Sequence, residues 1–467
     1  MQSRDRDNLK VFFEPDSLAV FGSLRDHAGL GYGLIRNLLD FGFKGRIYPV
    51  NPTHSEVLGF SAYRDINEVP EPVDLAVVIT PAQTVPEVVE QCAGKGVKGT
   101  IIVSEHFAEA NPEGARLQQQ LVDTVRRTGI RIMGPNTIGT VNTSNGLITT
   151  PYLTGYAGVR RGGIAYCSQS GIVSAQCQPL ADRAYPISKM CDLGNKCDVN
   201  EVDLLNYLAD DPETRVVSMH MEDARDGREF LRAARKVTAR KPLLVLRTAR
   251  SKEGARASAS HTGSLAGNDR VYDTAIRQSG AIRLNTWEEY WEIPRVFESQ
   301  PPLRGNRIAI IAYSGGAGVV ATDAAMECGL ALANLSPGTL RKLRELDPRA
   351  ARNPMDLGPV LSAAQDPASV QDQAIRAVLS DPNVDCASIT IYVGVLAPTD
   401  YVLGLFDRLT HDIAKPIALW LYGPSLSTVE ELSRQLAARG APAYTELETA
   451  VKALGALAQY SRFRDGL

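Results

Sequence analysis

The sequence predicts an α/β protein built from three doubly wound domains. Short apolar runs of strand length alternate with helical periodicity along nearly the whole chain, which is the rhythm of parallel βαβ units. Proline- and glycine-rich stretches at 151–163 and 299–305 break that rhythm twice. The chain has 467 residues, too many for one ordinary core, and about 150 residues per domain is the expectation.

In the first domain, 1–150, strands are predicted at 18–21, 47–50, 75–79 and 100–103. A helix runs through Leu34, Leu38 and Leu39, and others cover 85–92 and 114–127. The second domain, 151–298, opens with a strand at 163–167, a Ser/Gly turn and a helix beginning near Ile172. Strands at 216–221 and 243–246 follow, separated by a helix over 227–239. The third domain, 305–467, repeats the opening of the second: a strand at 307–312, a Ser/Gly turn, then a helix from Val319. Strands near 386–393 and 416–421 continue its sheet.

Composition narrows the function classes. With 44% hydrophobic and 22% charged residues, the chain reads as a globular enzyme. A net charge of −3 gives no bulk attraction to nucleic acid or an anionic membrane. An anionic small ligand would have to be held by local dipoles. The seven cysteines form no C-x-x-C pair and no zinc spacing, so they read as reduced thiols. The N-terminus is charged and has no apolar signal core, and no apolar run is long enough to span a bilayer; the expectation is a cytoplasmic protein.

The stretch Ser260-His261-Thr262-Gly263-Ser264-Leu265-Ala266-Gly267 is the strongest chemical signal. A lone histidine among small residues follows a strand, where open α/β sheets place ligands, and reads as a mobile loop. Such an imidazole can serve as nucleophile, base or metal ligand. Glu222 ends the strand at 216–221 and is suited to orient an imidazole, although the acidic turn after it would also suit simple solvation. Ser168-Gln169-Ser170-Gly171 and Ser314-Gly315-Gly316 each stand between a strand and a helix, where aligned peptide dipoles favour phosphate. Either alone is more commonly just a well-capped helix. The glycine-rich loop at 22–33 offers N–H groups to a phosphate. The acidic residue that an NAD site wants after the second strand is replaced by Val50-Asn51, which argues against an NAD-dependent oxidoreductase.

These motifs, with Gly134-Pro135-Asn136, Leu193-Gly194-Asn195-Lys196 and Asn353-Pro354-Met355-Asp356, resemble the α subunits of the NDP-forming acyl-CoA synthetases, the succinyl-CoA synthetase superfamily and especially its ADP-forming members. The resemblance spans nearly the whole chain. It implies a Rossmann-like CoA-binding domain followed by two flavodoxin-like domains. It makes His261 a transient phosphohistidine supported by Glu222. It assigns phosphate to Ser168, Gln169, Ser170, Gly171, Ser314, Gly315 and Gly316, and CoA to Gly22, Ser23, Val50, Asn51, Thr80, Pro81 and Asn136. The implied reaction is acid + ATP + CoA ⇌ acyl-CoA + ADP + Pi, on a small carboxylic acid. No stretch resembles an ATP-grasp domain, so ATP, ADP and Mg2+ are expected on a separate β subunit in an α2β2 assembly. The alternative is a CoA-binding regulatory or scaffold protein that has lost turnover. The chain departs from the family pattern at His106, where a glycine is usual, and at Tyr313, where a small polar residue is usual; both are expected to narrow the acyl end of the CoA site.

Overall fold

The computed structural model describes residues 6–152, 156, 158–174, 177–262, 268–394, 398–412 and 414–466. Packing divides the chain into two compact units, Met1–Thr286 and Trp287–Leu467. Among the described residues the first holds two large sheets and a two-stranded hairpin, and the second holds one sheet.

The first sheet comprises β1 (Ser17–Gly22), β2 (Arg46–Val50), β5 (Leu75–Ile79), β6 (Gly99–Ile102) and β7 (Arg131–Met133), in the order β2-β1-β5-β6-β7. All four pairings are parallel. A small hairpin, β3 (Glu56–Val57) and β4 (Phe60–Ser61), interrupts the connection to β5. The strands read as continuous apolar runs because both faces are covered. Leu18, Val20, Leu75, Val77 and Ile101 pack in one layer with Leu34, Ile35 and Leu38 of α1 (Leu30–Asp40). Ala19, Ala76, Val78 and Ile102 pack in the other layer, with Val85 and Val89 of α2 (Val85–Lys95) and Leu121 and Val125 of α3 (Pro112–Thr128).

The second sheet has the order β14-β13-β12-β10-β11-β8-β9. Its parallel strands are β10 (Arg161–Ser168), β11 (Ile187–Asp192), β12 (Val216–Met221), β13 (Leu243–Arg247) and β14 (Ile282–Leu284). The hairpin of β8 (Thr140–Asn142) and β9 (Leu147–Ile148) joins antiparallel to β11. Residues placed by sequence in the first domain therefore complete the sheet of the second. Its helices are α4 (Leu180–Arg183), α5 (Glu201–Asp210), α6 (Gly227–Thr238), α7 (Lys252–Thr262) and α8 (Asp269–Gln278).

The structure corrects the expected helix near Ile172. Residues Gly171–Val173 form one 3-10 turn, Ser170 makes no side-chain cap hydrogen bond, and the next described helix is α4. The reason is local: Ser168 Oγ already accepts the Ser170 N–H at 2.8 Å, so the hydroxyl closes its own turn instead of starting a helix.

In the second unit, α9 (Trp287–Glu292) and α10 (Pro294–Ser299) precede the sheet of β15 (Arg307–Ala312), β16 (Ala331–Leu332), β17 (Met355–Asp356), β18 (Cys386–Tyr392), β19 (Ile417–Tyr422) and β20 (Ala443–Tyr444). Its order is β16-β15-β18-β19-β20, with β17 also on β15, and every pairing is parallel. The helix α11 (Gly315–Glu327) starts directly after β15, four residues earlier than read from the apolar pattern. Among the described residues no helix is long and apolar enough to cross a membrane.

In each sheet the first parallel strand sits inside the order, and the chain leaves it to one side and then returns to the other. The carboxyl ends of β1, β10 and β15 are therefore topological switch points, where such sheets open a crevice for ligands.

Candidate functional site

The three motif loops fall on the three switch points. At β1, Gly22 and Ser23 lead into the glycine-rich loop. A Cβ on Gly29 would lie 2.2 Å from the Ser23 carbonyl oxygen, so only glycine lets the loop fold back on itself there. Gly29 caps α1 without a side-chain hydrogen bond. Asn51, just past β2, donates Nδ2 to the Gly22 carbonyl at 2.8 Å and accepts the Thr53 N–H at 2.9 Å. It thus ties the ends of β1 and β2. Val50 is buried beneath it. Thr80, past β5, gives its carbonyl to Ser104 Oγ and its hydroxyl to a bond with Thr84, beside the exposed Pro81. Asn136 has a φ of +57° and follows a cis Gly134-Pro135 bond. Gly22 ends β1, and Ser23, Asn51, Thr80 and Asn136 stand past strand ends on the carboxyl side. The donors there are amide and hydroxyl groups, without a carboxylate closing β2, and suit a phosphate-bearing ligand such as CoA.

His106 is exposed, with a φ of +73°. It keeps the left-handed backbone that the family's glycine would supply, a conformation uncommon for residues with a Cβ.

At β10, Ser168 is fully buried and its Oγ shares a 2.9 Å hydrogen bond with His220 Nδ1. His220 Nε2 lies 2.9 Å from Thr248 Oγ1. Burial holds the His220 pKa down to about 3, so the ring is neutral. Gln169 accepts the N–H groups of Glu222 and Asp223 on Oε1, the latter at 3.1 Å, and donates Nε2 to Asp223 Oδ1 at 3.0 Å. The side chains of Ser168 and Gln169 are therefore engaged within the protein. The Ser170 N–H is also engaged, by Ser168 Oγ, so a phosphate would meet the backbone N–H groups of Gln169 and Gly171 and the hydroxyl of Ser170.

Glu222 follows β12 directly, and its Oε2 accepts the Ser258 hydroxyl at 2.7 Å. Ser258 lies in α7, one turn before His261. The expected loop around His261 is helical as far as Thr262. Ala255, Ala257 and Ala259 with Lys252, Glu253 and Arg256 are strong helix formers. Ser251 caps the start by accepting the Gly254 N–H at 2.9 Å. The His261 side chain and residues 263–267 lie outside the described residues.

Sequence reading missed four participants. Ser258 was legible only once α7 was known to be a helix. Asp192 pairs in register with Ser168 and is 2% exposed. Burial raises its pKa to about 6 against the N–H bonds from Ile138 and Gly194, and Glu222 adds to the rise. Lys196 and Asp223 form the ion pair described below. Among the described residues no group of His, Cys, Asp and Glu has the makings of a metal site.

In the second unit, Ser314 caps α11 by accepting the Ala317 N–H at 3.3 Å, and Gly315 and Gly316 are exposed. Asp356 stands opposite Gly315, its carboxylate oxygen 3.4 Å from where a Cβ would be. Ser314, Gly315 and Asp356 line a cavity of about 430 Å³ with Asn353, Pro354 and Thr322. Tyr313 does not narrow this crevice: its side chain is buried in the apolar core with Ile311, Leu357 and Val360.

Three family models match in succession: a CoA binding domain over residues 16–143, a succinyl-CoA ligase like flavodoxin domain over 161–297, and a Ligase-CoA domain over 308–466. The α subunit of ADP-forming acetate–CoA ligase I from Pyrococcus furiosus is 36% identical over 465 residues, covering 98% of each chain. The chain belongs to the α-subunit family of the ADP-forming acyl-CoA synthetases. The family also contains longer chains. The ADP-forming acetate–CoA ligase II of Archaeoglobus fulgidus is 34% identical over 98% of this chain but only 68% of its own length. Among solved structures, the dinucleotide-forming acetyl-CoA synthetase 1 of Candidatus Korarchaeum cryptofilum, in complex with phosphate and ADP, matches with a TM-score of 0.88 and 31% identity over 99% of this chain and 98% of that one. The Rossmann-like and flavodoxin-like architecture expected from the motifs is thereby borne out.

Proposed function

We propose that this chain is the α subunit of an acid–CoA ligase that forms ADP, with His261 as its phosphoryl carrier. The γ-phosphoryl group of ATP passes to an imidazole nitrogen of His261, and ADP leaves. A carboxylate oxygen of the acid attacks that phosphorus, the N–P bond breaks, and an acyl phosphate forms. The CoA sulfur attacks the acyl carbon, inorganic phosphate leaves, and the thiol loses its proton. Glu222 accepts the N–H of the second imidazole nitrogen, fixing the tautomer and balancing the cation that develops. The loop N–H groups of Gln169 and Gly171 neutralise phosphoryl oxygens, which is where phosphoryl transfer needs help, and the start of α11 at 314–316 offers N–H groups of the same kind in the second unit. CoA lies along Gly22, Ser23, Val50, Asn51, Thr80, Pro81 and Asn136.

ATP and its Mg2+ belong to a separate ATP-grasp β subunit, in an α2β2 assembly in the cytoplasm. The support is the Pyrococcus furiosus relative, which is named an α subunit and is matched over 98% of its length. The observation that carries the catalytic reading is the 2.7 Å bond from Ser258 to Glu222, which joins a strand-end carboxylate to the helix holding His261.

The test uses the complex with its β chain and γ-labelled ATP, without acid substrate. The α chain is expected to take up label that is lost in mild acid, survives alkali and is discharged by added acid substrate. His261→Ala abolishes it. Acid-labile label persisting in that variant would overturn the assignment.

A further inference from the structure

Lys196 is buried, with 6% of its side chain exposed, in a family motif to which the reaction above gives no role. Its backbone has a φ of +55°, a left-handed conformation uncommon for a residue with a Cβ. The ammonium group turns inward and uses all three donors. It bonds Glu201 Oε2 at 3.0 Å, Asp223 Oδ1 at 2.6 Å and the Asp223 carbonyl at 3.3 Å. Glu201 is fully buried at the start of α5, behind the Asn200 capping box, and its other oxygen accepts the Arg225 N–H at 3.0 Å.

These bonds converge on one turn, 222–225. Asp223 is gripped from one side by Lys196 and from the other by Gln169 Nε2, while Gln169 Oε1 takes the Glu222 and Asp223 N–H groups. Burial pushes the Asp223 pKa up, but Lys196 and Gln169 outweigh it and hold it below the usual carboxylate range, so the pair stays charged. Buried ion pairs add little net stability, because desolvation offsets their attraction; their best-supported use is to fix one geometry. The geometry fixed here is the backbone that aims Glu222 at Ser258 on the helix of His261.

We propose that Lys196 is a positioning residue for phosphoryl transfer, acting through Asp223 and Gln169 on Glu222. This rests on the His261 reading above. Without the ammonium, the buried Glu201 and half-buried Asp223 carboxylates repel, the 222–225 turn shifts, and Glu222 no longer orients the imidazole. CoA, bound on the first domain, is unaffected.

The test measures the rate of acid-labile labelling of the α chain, in complex with its β chain, for Lys196→Met, Asp223→Ala, Glu222→Gln and their double combinations. Asp223→Ala guards against misfolding, because it leaves Lys196 neutralised by Glu201. Each single variant is expected to slow labelling roughly 10–100-fold, as loss of an orienting partner does, with CoA affinity unchanged. Combined with Glu222→Gln, neither Lys196→Met nor Asp223→Ala slows it further, because all act through one carboxylate. Wild-type labelling in Asp223→Ala, or slowing that multiplies with Glu222→Gln, overturns the proposal. An unaltered complex that takes no label overturns the His261 reading, and this proposal with it.

Discussion

His220 shows how one buried side chain couples the site to pH. It is 1% exposed between the hydroxyls of Ser168 and Thr248, and burial holds its pKa to about 3. The unfolded chain binds a proton there near pH 6.5. Between those values the unfolded state carries the extra proton, so stability rises with pH and is lost as pH falls. At pH 5 this one residue has cost about 2 kcal/mol relative to its contribution at neutral pH. His220→Gln keeps hydrogen-bonding capacity but cannot be protonated in this range. It should destabilise at pH 7 by an amount that shrinks by about 2 kcal/mol at pH 5. Denaturant midpoints of both proteins at the two pH values check this, and a penalty independent of pH would count against it.

At the scale of the element, α7 decides how His261 is presented. The small residues of 254–267 suggest a mobile loop, yet the alanines and the Ser251 cap make a helix of 252–262. The histidine proposed as the carrier then sits in the last turn of a helix that Ser258 fastens to Glu222. Losing the cap in Ser251→Ala should weaken this helix by about 1 kcal/mol. That is a factor of about 5 in its opening equilibrium. Amide exchange over 252–262 should accelerate by that factor, while exchange in α5 and α6 stays unchanged. Equal acceleration in all three helices would mean that the cap supports the whole domain instead.

For the whole molecule, the boundary between packing units falls at 286, before the proline-rich stretch at 299–305. The helices α9 and α10 pack with the C-terminal helix Leu447–Asp465. Thr449 donates to Glu288 at 2.7 Å, Lys452 pairs with Glu289 at 2.8 Å, and Phe297 meets Tyr460 edge-on. Tyr290, Trp291, Ile293 and Val296 are buried. Burial of side chains of this size is worth about 1.5–3 kcal/mol each. A chain expressed from Trp287 should therefore unfold cooperatively. One expressed from Asn306 should lose several kcal/mol and much of its cooperativity. Equal denaturant midpoints for the two pieces would refute this boundary.

The alternation of apolar strands and helices determined the α/β class by itself, because strands covered on both faces must be apolar throughout. The motif order determined the family and singled out His261, Glu222 and the glycine-rich loop, because close approach and special backbone angles restrict which residues fit. Tertiary structure alone decided the rest. Ser168 and Asp192 face each other only through the β10 and β11 pairing, and β11 carries too mixed a sequence, ISKMCD, to read as a strand. The hairpin at 140–148 joins the second sheet because its hydrogen-bond partner, β11, lies far along the chain. Lys196, Glu201, Asp223 and Gln169 carry no common spacing, and their side chains meet only when the loops after β10, β11 and β12 converge at one switch point. Sequence order records which groups a chain owns. Which of them share a buried hydrogen bond depends on long-range strand order, and no local pattern encodes that.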